Sequence, residues 1–186
     1  MKVAILSMQQ IKNYGSFLQA FSLKKNIESL GHTCEFINII PGEQLEGYKI
    51  SCFYNIKLLF QRLWGWDFYK RFQTIFVFQN RFRKEFLPYL GVKKGINTKH
   101  YDVVVIGSDE VFNCTQKTWF GFSSQLFGKG LNASRVITYA ASFGATTTDK
   151  LQLVGKKEIV SSLLHDLDAI SVRDENSMKV IEELTG

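Results

Sequence analysis

Short apolar runs bounded by polar turns alternate along this chain with stretches whose apolar residues recur every three or four positions. Val103-Val104-Val105-Ile106 is too short for a helix and stops at Gly107-Ser108-Asp109, so it reads as a strand buried on both faces. Residues 3–8, 33–40, 136–141 and 169–172 read as further strands, the second of them stopped by Pro41-Gly42. Phe17, Ala20, Phe21, Leu23, Ile27 and Leu30 predict a helix over about 16–30, with Gly31 at its C-terminal cap. Leu151, Val154, Ile159, Leu163 and Leu164 predict one helix over about 149–165. A last helix opens at Arg173-Asp174-Glu175-Asn176, whose acidic residues suit its positive dipole end.

Residues 51–90 differ in kind. Phe60, Leu63, Trp64, Phe68, Phe72, Phe76, Phe82 and Phe86 alternate with Lys57, Arg62, Lys70, Arg71, Arg81, Arg83 and Lys84. That spacing predicts amphipathic helices, broken near Gly65 and ended before Pro88. Two readings stay open: a helical insert packed on the sheet or a neighbouring domain, or an interfacial helix making peripheral membrane contact. The loop over residues 115–130, rich in aromatics and glycines, is a candidate cover for a site.

Strands and helices in this order make a three-layer, Rossmann-like α/β domain with a mostly parallel sheet. Its opening β-α-β unit calls for a parallel, right-handed crossover. In such sheets ligands sit beyond the carboxyl ends of the strands, where Ser108, Asp109, Glu110 and Asn113 fall. Ser108 and Asp109 as caps of a following helix are the competing reading. Ser142 and Gly144 end a neighbouring strand; Gly144 also suits a turn conformation.

Composition narrows the chemistry. At 186 residues the chain is expected to form one domain, 1–186, with the insert at about 51–90. The three cysteines are odd in number and scattered, as are the three histidines, so neither a disulfide framework nor a metal site is expected. The G-x-G-x-x-G fingerprint is missing, which argues against a dinucleotide, and no cofactor is expected. The net charge of +6 is spread through separate Lys pairs rather than a dense tract, so a solvated surface is favoured and no nucleic acid is expected. The apolar start is too short for a signal peptide, and cytoplasmic residence is the default expectation.

Four segments carry a resemblance: Asn13-Tyr14-Gly15-Ser16-Phe17-Leu18-Gln19-Ala20, Val105-Ile106-Gly107-Ser108-Asp109-Glu110-Val111-Phe112-Asn113, Tyr139-Ala140-Ala141-Ser142-Phe143-Gly144 and Ile170-Ser171-Val172-Arg173-Asp174-Glu175. Together and in this order the chain resembles the polysaccharide pyruvyl transferase family. The second segment departs from the usual pattern, with Glu110 and Phe112 where Gln and Trp are usual. The resemblance implies the N-terminal half of a GT-B-type fold, with the second GT-B-like half absent from this chain. It also implies transfer of pyruvyl from phosphoenolpyruvate to sugar hydroxyls, forming a ketal. Partners would then be phosphoenolpyruvate and a saccharide acceptor, free or lipid-linked, with work at the inner face of the membrane in the latter case. An excised domain and a naturally short relative both remain open, and the chain alone is expected to be inactive.

Ketal formation needs a general acid, a general base and cationic phosphate donors. No His lies in a matched segment. On this reading Asp109 is the catalytic candidate, binding or deprotonating an acceptor hydroxyl. Asn13, Gly15, Ser16, Ser108, Glu110, Asn113, Ser142, Gly144 and Arg173 are the substrate-binding candidates. Arg173 faces a phosphate or, alternatively, pairs with Asp174 or Glu175; Asn13 and Asp109 as caps and Gly15 as a packing residue are the structural alternatives. A GT-B glycosyltransferase domain using a sugar nucleotide and a non-catalytic sugar-binding or docking module are the other functions in view.

Overall fold

The valine run lies in β3, Tyr101–Asp109, an inner strand of a four-stranded sheet ordered β2-β1-β3-β4. The structure is a computed structural model and describes residues 1–49, 68–92 and 99–186. β1 (Lys2–Leu6) pairs in parallel with β2 (Thr33–Phe36) on one side and β3 on the other, with Val3 opposite both Cys34 and Val103. β4 (Ala133–Ala141) continues the sheet, also parallel, with Val104 opposite Val136. Central strands bury both faces because alternate side chains point to opposite sides. Val3, Ile5 and Val105 accordingly join one hydrophobic cluster, and Ala4, Leu6, Val104 and Ile106 the other.

The first cluster is closed by α1 (Tyr14–Ser29) through Phe17, Ala20, Leu23 and Ile27, the stripe read from the sequence. The second is closed by α5 (Lys157–His165) and α6 (Glu175–Thr185), through Val160, Leu163, Leu164, Val180 and Leu184. From β1 the chain moves first toward β2 and then, through β3, toward β4. Helices on opposite faces follow from crossovers of one hand. The three-layer, mostly parallel α/β class is therefore observed.

The described part of the helical insert runs as α2 (Phe68–Arg81), a π-helical turn (Phe82–Phe86) and α3 (Leu87–Leu90). The predicted stop before Pro88 is wrong. Pro88 sits in the first turn of α3, where its missing N–H is not needed, and the chain leaves the helix at Gly91, φ +67°. The expected break near Gly65 lies outside the described residues. Phe78, Phe82 and Phe86 pack on Tyr14 and Phe17 of α1, with ring centroids 5.0 Å (Tyr14 to Phe78) to 6.1 Å (Phe17 to Phe82) apart. Phe82 and Phe86 of the stripe are thus covered by protein, whereas Phe76 is exposed.

Three further expectations need correction. The helix over 149–165 is two, α4 (Thr148–Leu153) and α5, parted by Gly155 at φ +65°. Residues 169–172 make only two isolated parallel bridges to β4, Ile137 to Ala169 and Ala141 to Val172, because Ala140 at φ +48° throws the ladder out of step. The loop over 115–130 is not a loose surface cover but packs into the core. Its Phe120, Phe122, Leu126 and Phe127 are buried, Phe127 stacks on Phe112 at 4.7 Å, and Phe122 bridges Glu43.

Candidate active site

Chain direction reverses between β1 and β3, which makes the space beyond their carboxyl ends the topological switch point, the place where ligands bind in such sheets. The loop after β1 is fixed by short polar contacts. Ser7 Oγ donates to the Ser108 carbonyl (2.9 Å), the Ser7 N–H donates to Gln9 Oε1 (3.0 Å), and Gln9 Nε2 donates to the Ile37 carbonyl (2.7 Å). Ser7 and Gln9 are buried, so these bonds satisfy groups that would otherwise be stranded. The loop delivers Asn13, which caps α1 by accepting from the Gly15 N–H at 2.7 Å. Asn13 and Gly15 are exposed, whereas Ser16 is buried on the sheet side of α1.

At the end of β3, Gly107 is dictated by space: with φ +118°, a Cβ there would lie 2.3 Å from the Tyr139 carbonyl oxygen. Asp109 adopts φ +100°, a backbone region that residues with side chains rarely occupy and that clusters at functional sites. No helix begins directly after it, so neither Ser108 nor Asp109 is a helix cap. Instead Asp109 Oδ1 accepts from the Glu110 N–H (2.9 Å), and the Asp109 carbonyl accepts from the N–H groups of Val111 (2.8 Å) and Ser142 (3.0 Å). Ser108 itself is buried.

Glu110, Asn113 and Gly144 form one packed group. Asn113 Nδ2 donates to Glu110 Oε2 at 2.7 Å, and both atoms lie 2.5 Å from where a Cβ on Gly144 would stand. The Asn113 amide oxygen accepts from Thr115 and Thr146 hydroxyls at 3.1 and 2.9 Å. Asn176 of α6 ties the same turn down, donating to the carbonyls of Gly144 (3.0 Å) and Thr146 (3.1 Å). Thr115, Thr146 and Asn176 were not foreseen from the sequence.

Arg173 does not pair with its sequence neighbours. Its guanidinium lies 3.5 Å from Asp109 Oδ1 and donates to Gln19 Oε1 of α1 at 3.2 Å. Its backbone N–H donates to the Ala141 carbonyl at 3.1 Å. Asp174 caps α6, accepting from the Ser177 N–H and hydroxyl, both at 2.8 Å. Burial works to raise the Asp174 carboxyl, but hydrogen bonds from Ser142 and Ser177 and the Arg173 charge hold it below its ordinary value. Ser142, buried, also accepts from the Gly144 N–H at 2.9 Å, and its carbonyl accepts from the Phe112 N–H at 3.0 Å.

All four segments singled out in the sequence are thus joined by named contacts. Gln19 and Asp109 each meet Arg173, Asp109 and Phe112 meet Ser142, and Ser142 meets Asp174. Gln19 was the missed partner; its signal was its place three residues after Ser16, on the flank of α1. No contact draws Asn13 itself to Asp109; α1 enters through Gln19. Nucleophilic thiol chemistry is disfavoured among the described residues, since burial pushes Cys34 up to about 11 and Cys114 to about 12. No group of three or more His, Cys, Asp or Glu among them is placed to hold a metal ion. A hollow of about 600 Å³ lies at the opposite, amino ends of the strands, lined by Lys2, Thr33, Glu35, Lys99, His100 and Tyr101 among others. None of the four segments lines it.

The fold defines the class: a doubly wound, Rossmann-like α/β domain, with polar turns joined by contacts beyond the carboxyl ends of its strands. Within that class, the chain belongs to the polysaccharide pyruvyl transferase family, whose model matches residues 13–185. The match covers all four segments and indicates a transferase of that kind with a saccharide acceptor. Neither a curated protein nor a solved structure matches the chain. No helix among the described residues is long and apolar enough to cross a membrane.

Proposed function

We propose that this crevice serves transfer of the pyruvyl group of phosphoenolpyruvate to saccharide hydroxyls, forming a pyruvate ketal and releasing inorganic phosphate. The observation that carries the reading is a carboxylate and a guanidinium, Asp109 and Arg173, held side by side where the four segments meet. Their side chains are 14% and 32% exposed, so both are within reach of a ligand. Arg173 binds the anionic donor, because a planar guanidinium matches phosphate and carboxylate oxygens. Asp109 accepts the proton of the attacking hydroxyl. In the balanced reaction two hydroxyls lose their protons and bond through oxygen to the carbon that bore phosphate, the enol methylene carbon gains one proton, and phosphate leaves with the C–O electron pair and the other proton. Glu110, Asn113, Ser142 and Gly144 shape the acceptor side, Glu110 and Asn113 by holding each other. Asn13, Gly15, Ser16 and Ser108 line the donor side at the start of α1 and the end of β3.

On this reading the chain is the N-terminal half of a GT-B-type enzyme, and a second domain supplies the acid that protonates carbon. The donor places the reaction in the cytoplasm, and a lipid-linked acceptor brings it to the inner membrane face of the cell envelope. Exposed Phe76, Val77 and Tyr89 on the insert support a peripheral contact there. In a full-length context that includes the second domain, phosphate release from phosphoenolpyruvate in the presence of pyranosides with neighbouring hydroxyls tests the reaction. Asp109→Asn is expected to lower turnover by about 100-fold or more. Unchanged turnover would leave Asp109 a structural residue, and release of a nucleoside diphosphate from a sugar nucleotide would point to glycosyl transfer instead.

A further inference from the structure

Gln19 has no part in the chemistry above, yet it reaches from α1 to the one guanidinium the proposed donor would need. The contacts around Arg173 are unequal. The backbone is pinned, by its hydrogen bond to the Ala141 carbonyl and by the Asp174 cap that follows. The side chain is held more loosely. Its single approach to Asp109 is 3.5 Å, well beyond the roughly 2.7–2.9 Å of a strong charge-assisted bond, and a third of the side chain meets solvent. Partly exposed pairs of that kind are weak and exchange readily. Gln19 offers a neutral oxygen at 3.2 Å, which brings no charge to compete with an anion.

We propose that Gln19 and Asp109 form a two-sided latch on Arg173, in which an incoming phosphorylated ligand displaces Asp109 while Gln19 keeps the guanidinium aimed into the crevice. The proposal rests on Arg173 being the donor's cation. Displacement has a consequence for the carboxylate: once Arg173 turns to the ligand, Asp109 loses its cation and takes up a hydroxyl proton in its place. Donor binding thereby prepares the acceptor side, and the two ligands bind in that order. Gln19 is a positioning residue in this scheme and touches neither reacting group.

Calorimetric titration with inorganic phosphate, and separately with phosphoenolpyruvate, tests it on the unaltered chain and three variants. Asp109→Asn removes the competitor and is expected to tighten phosphate binding by about threefold or more. Gln19→Leu is expected to weaken it by about tenfold, and Arg173→Met to abolish it. Opposite signs at positions 109 and 19 are the signature, because two residues with a merely structural role would both weaken binding. Weaker or unchanged binding in Asp109→Asn, or unchanged binding in Gln19→Leu, overturns the latch while leaving Arg173 as the anion's partner if Arg173→Met still loses phosphate. Undiminished binding in Arg173→Met, or no binding by the unaltered chain, overturns both the latch and the donor reading.

Discussion

Gly144→Ala measures how closely the turn after β4 is fitted to the carboxylate side of the crevice. Two separate terms oppose the alanine. The first is conformational: at φ +54° a residue with a Cβ is disfavoured by about 1–2 kcal/mol. The second is crowding, since the new Cβ would stand 2.5 Å from Asn113 Nδ2 and from Glu110 Oε2. Those two atoms form a 2.7 Å hydrogen bond and would have to separate, losing about 1–2 kcal/mol for a half-buried bond to a charged acceptor. The sum is about 2–4 kcal/mol, or roughly 5–15 °C in Tm for a domain of this size. Gly155→Ala supplies the control, because Gly155 has φ +65° and nothing within 4 Å of its Cβ position, so only the first term applies. Urea melts followed by circular dichroism should therefore show Gly144→Ala losing at least about 1 kcal/mol more than Gly155→Ala. In a Glu110→Ala background the excess should shrink, as expected when two positions share a contact. Equal losses at the two glycines, or an excess undiminished by Glu110→Ala, would refute the crowding argument.

Phe82 is fully buried between Tyr14, Phe17, Phe78 and Phe86, so Phe82→Ala should lose about 3–5 kcal/mol in the same melts; a loss below about 1 kcal/mol would mean the insert does not pack on α1. Asn13→Ala should lose about 1 kcal/mol by uncapping α1 and Asn13→Ser almost nothing, whereas a large drop in phosphate binding by the serine variant would give Asn13 a direct ligand role. Asp174 has a folded pKa below its ordinary 3.8, so its contribution to stability is fully present above that value and lost as pH falls through the lower, folded value. Asp174→Asn should flatten the acid limb of the stability profile, and an unchanged limb would show that the cap carries no such linkage.

The strands and α1 were legible because their residues obey one period each: the valine run of β3 and the Phe17, Ala20, Leu23, Ile27 stripe both ended in the core. Failures came where a single backbone angle decided the outcome. Gly155 looked tolerable inside a helical pattern but takes a left-handed conformation, and Ala140 at φ +48° spoils a ladder that residues 169–172 suit by composition. Pro88 misled in the other direction, since a preceding π-helical turn turned a breaker into a helix start. The strand-end polar residues could be grouped from the sequence because parallel topology fixes where such turns go. Their partners could not, because Gln19 and Arg173 lie 154 positions apart and only the fold brings them within 3.2 Å. Residues 115–130 show the reverse error: glycines and aromatics suggested a cover, while burial made the aromatics core.

Convergence of four distant segments on one anion-binding crevice is the claim on which the rest depends, and amide chemical-shift mapping with phosphoenolpyruvate tests it most directly. The largest shifts are expected on residues 13–19, 107–113, 142–144 and 171–174, with Arg173 central among them. Shifts gathered instead around Lys2, Thr33, Lys99 and His100, at the amino ends of the strands, would contradict it.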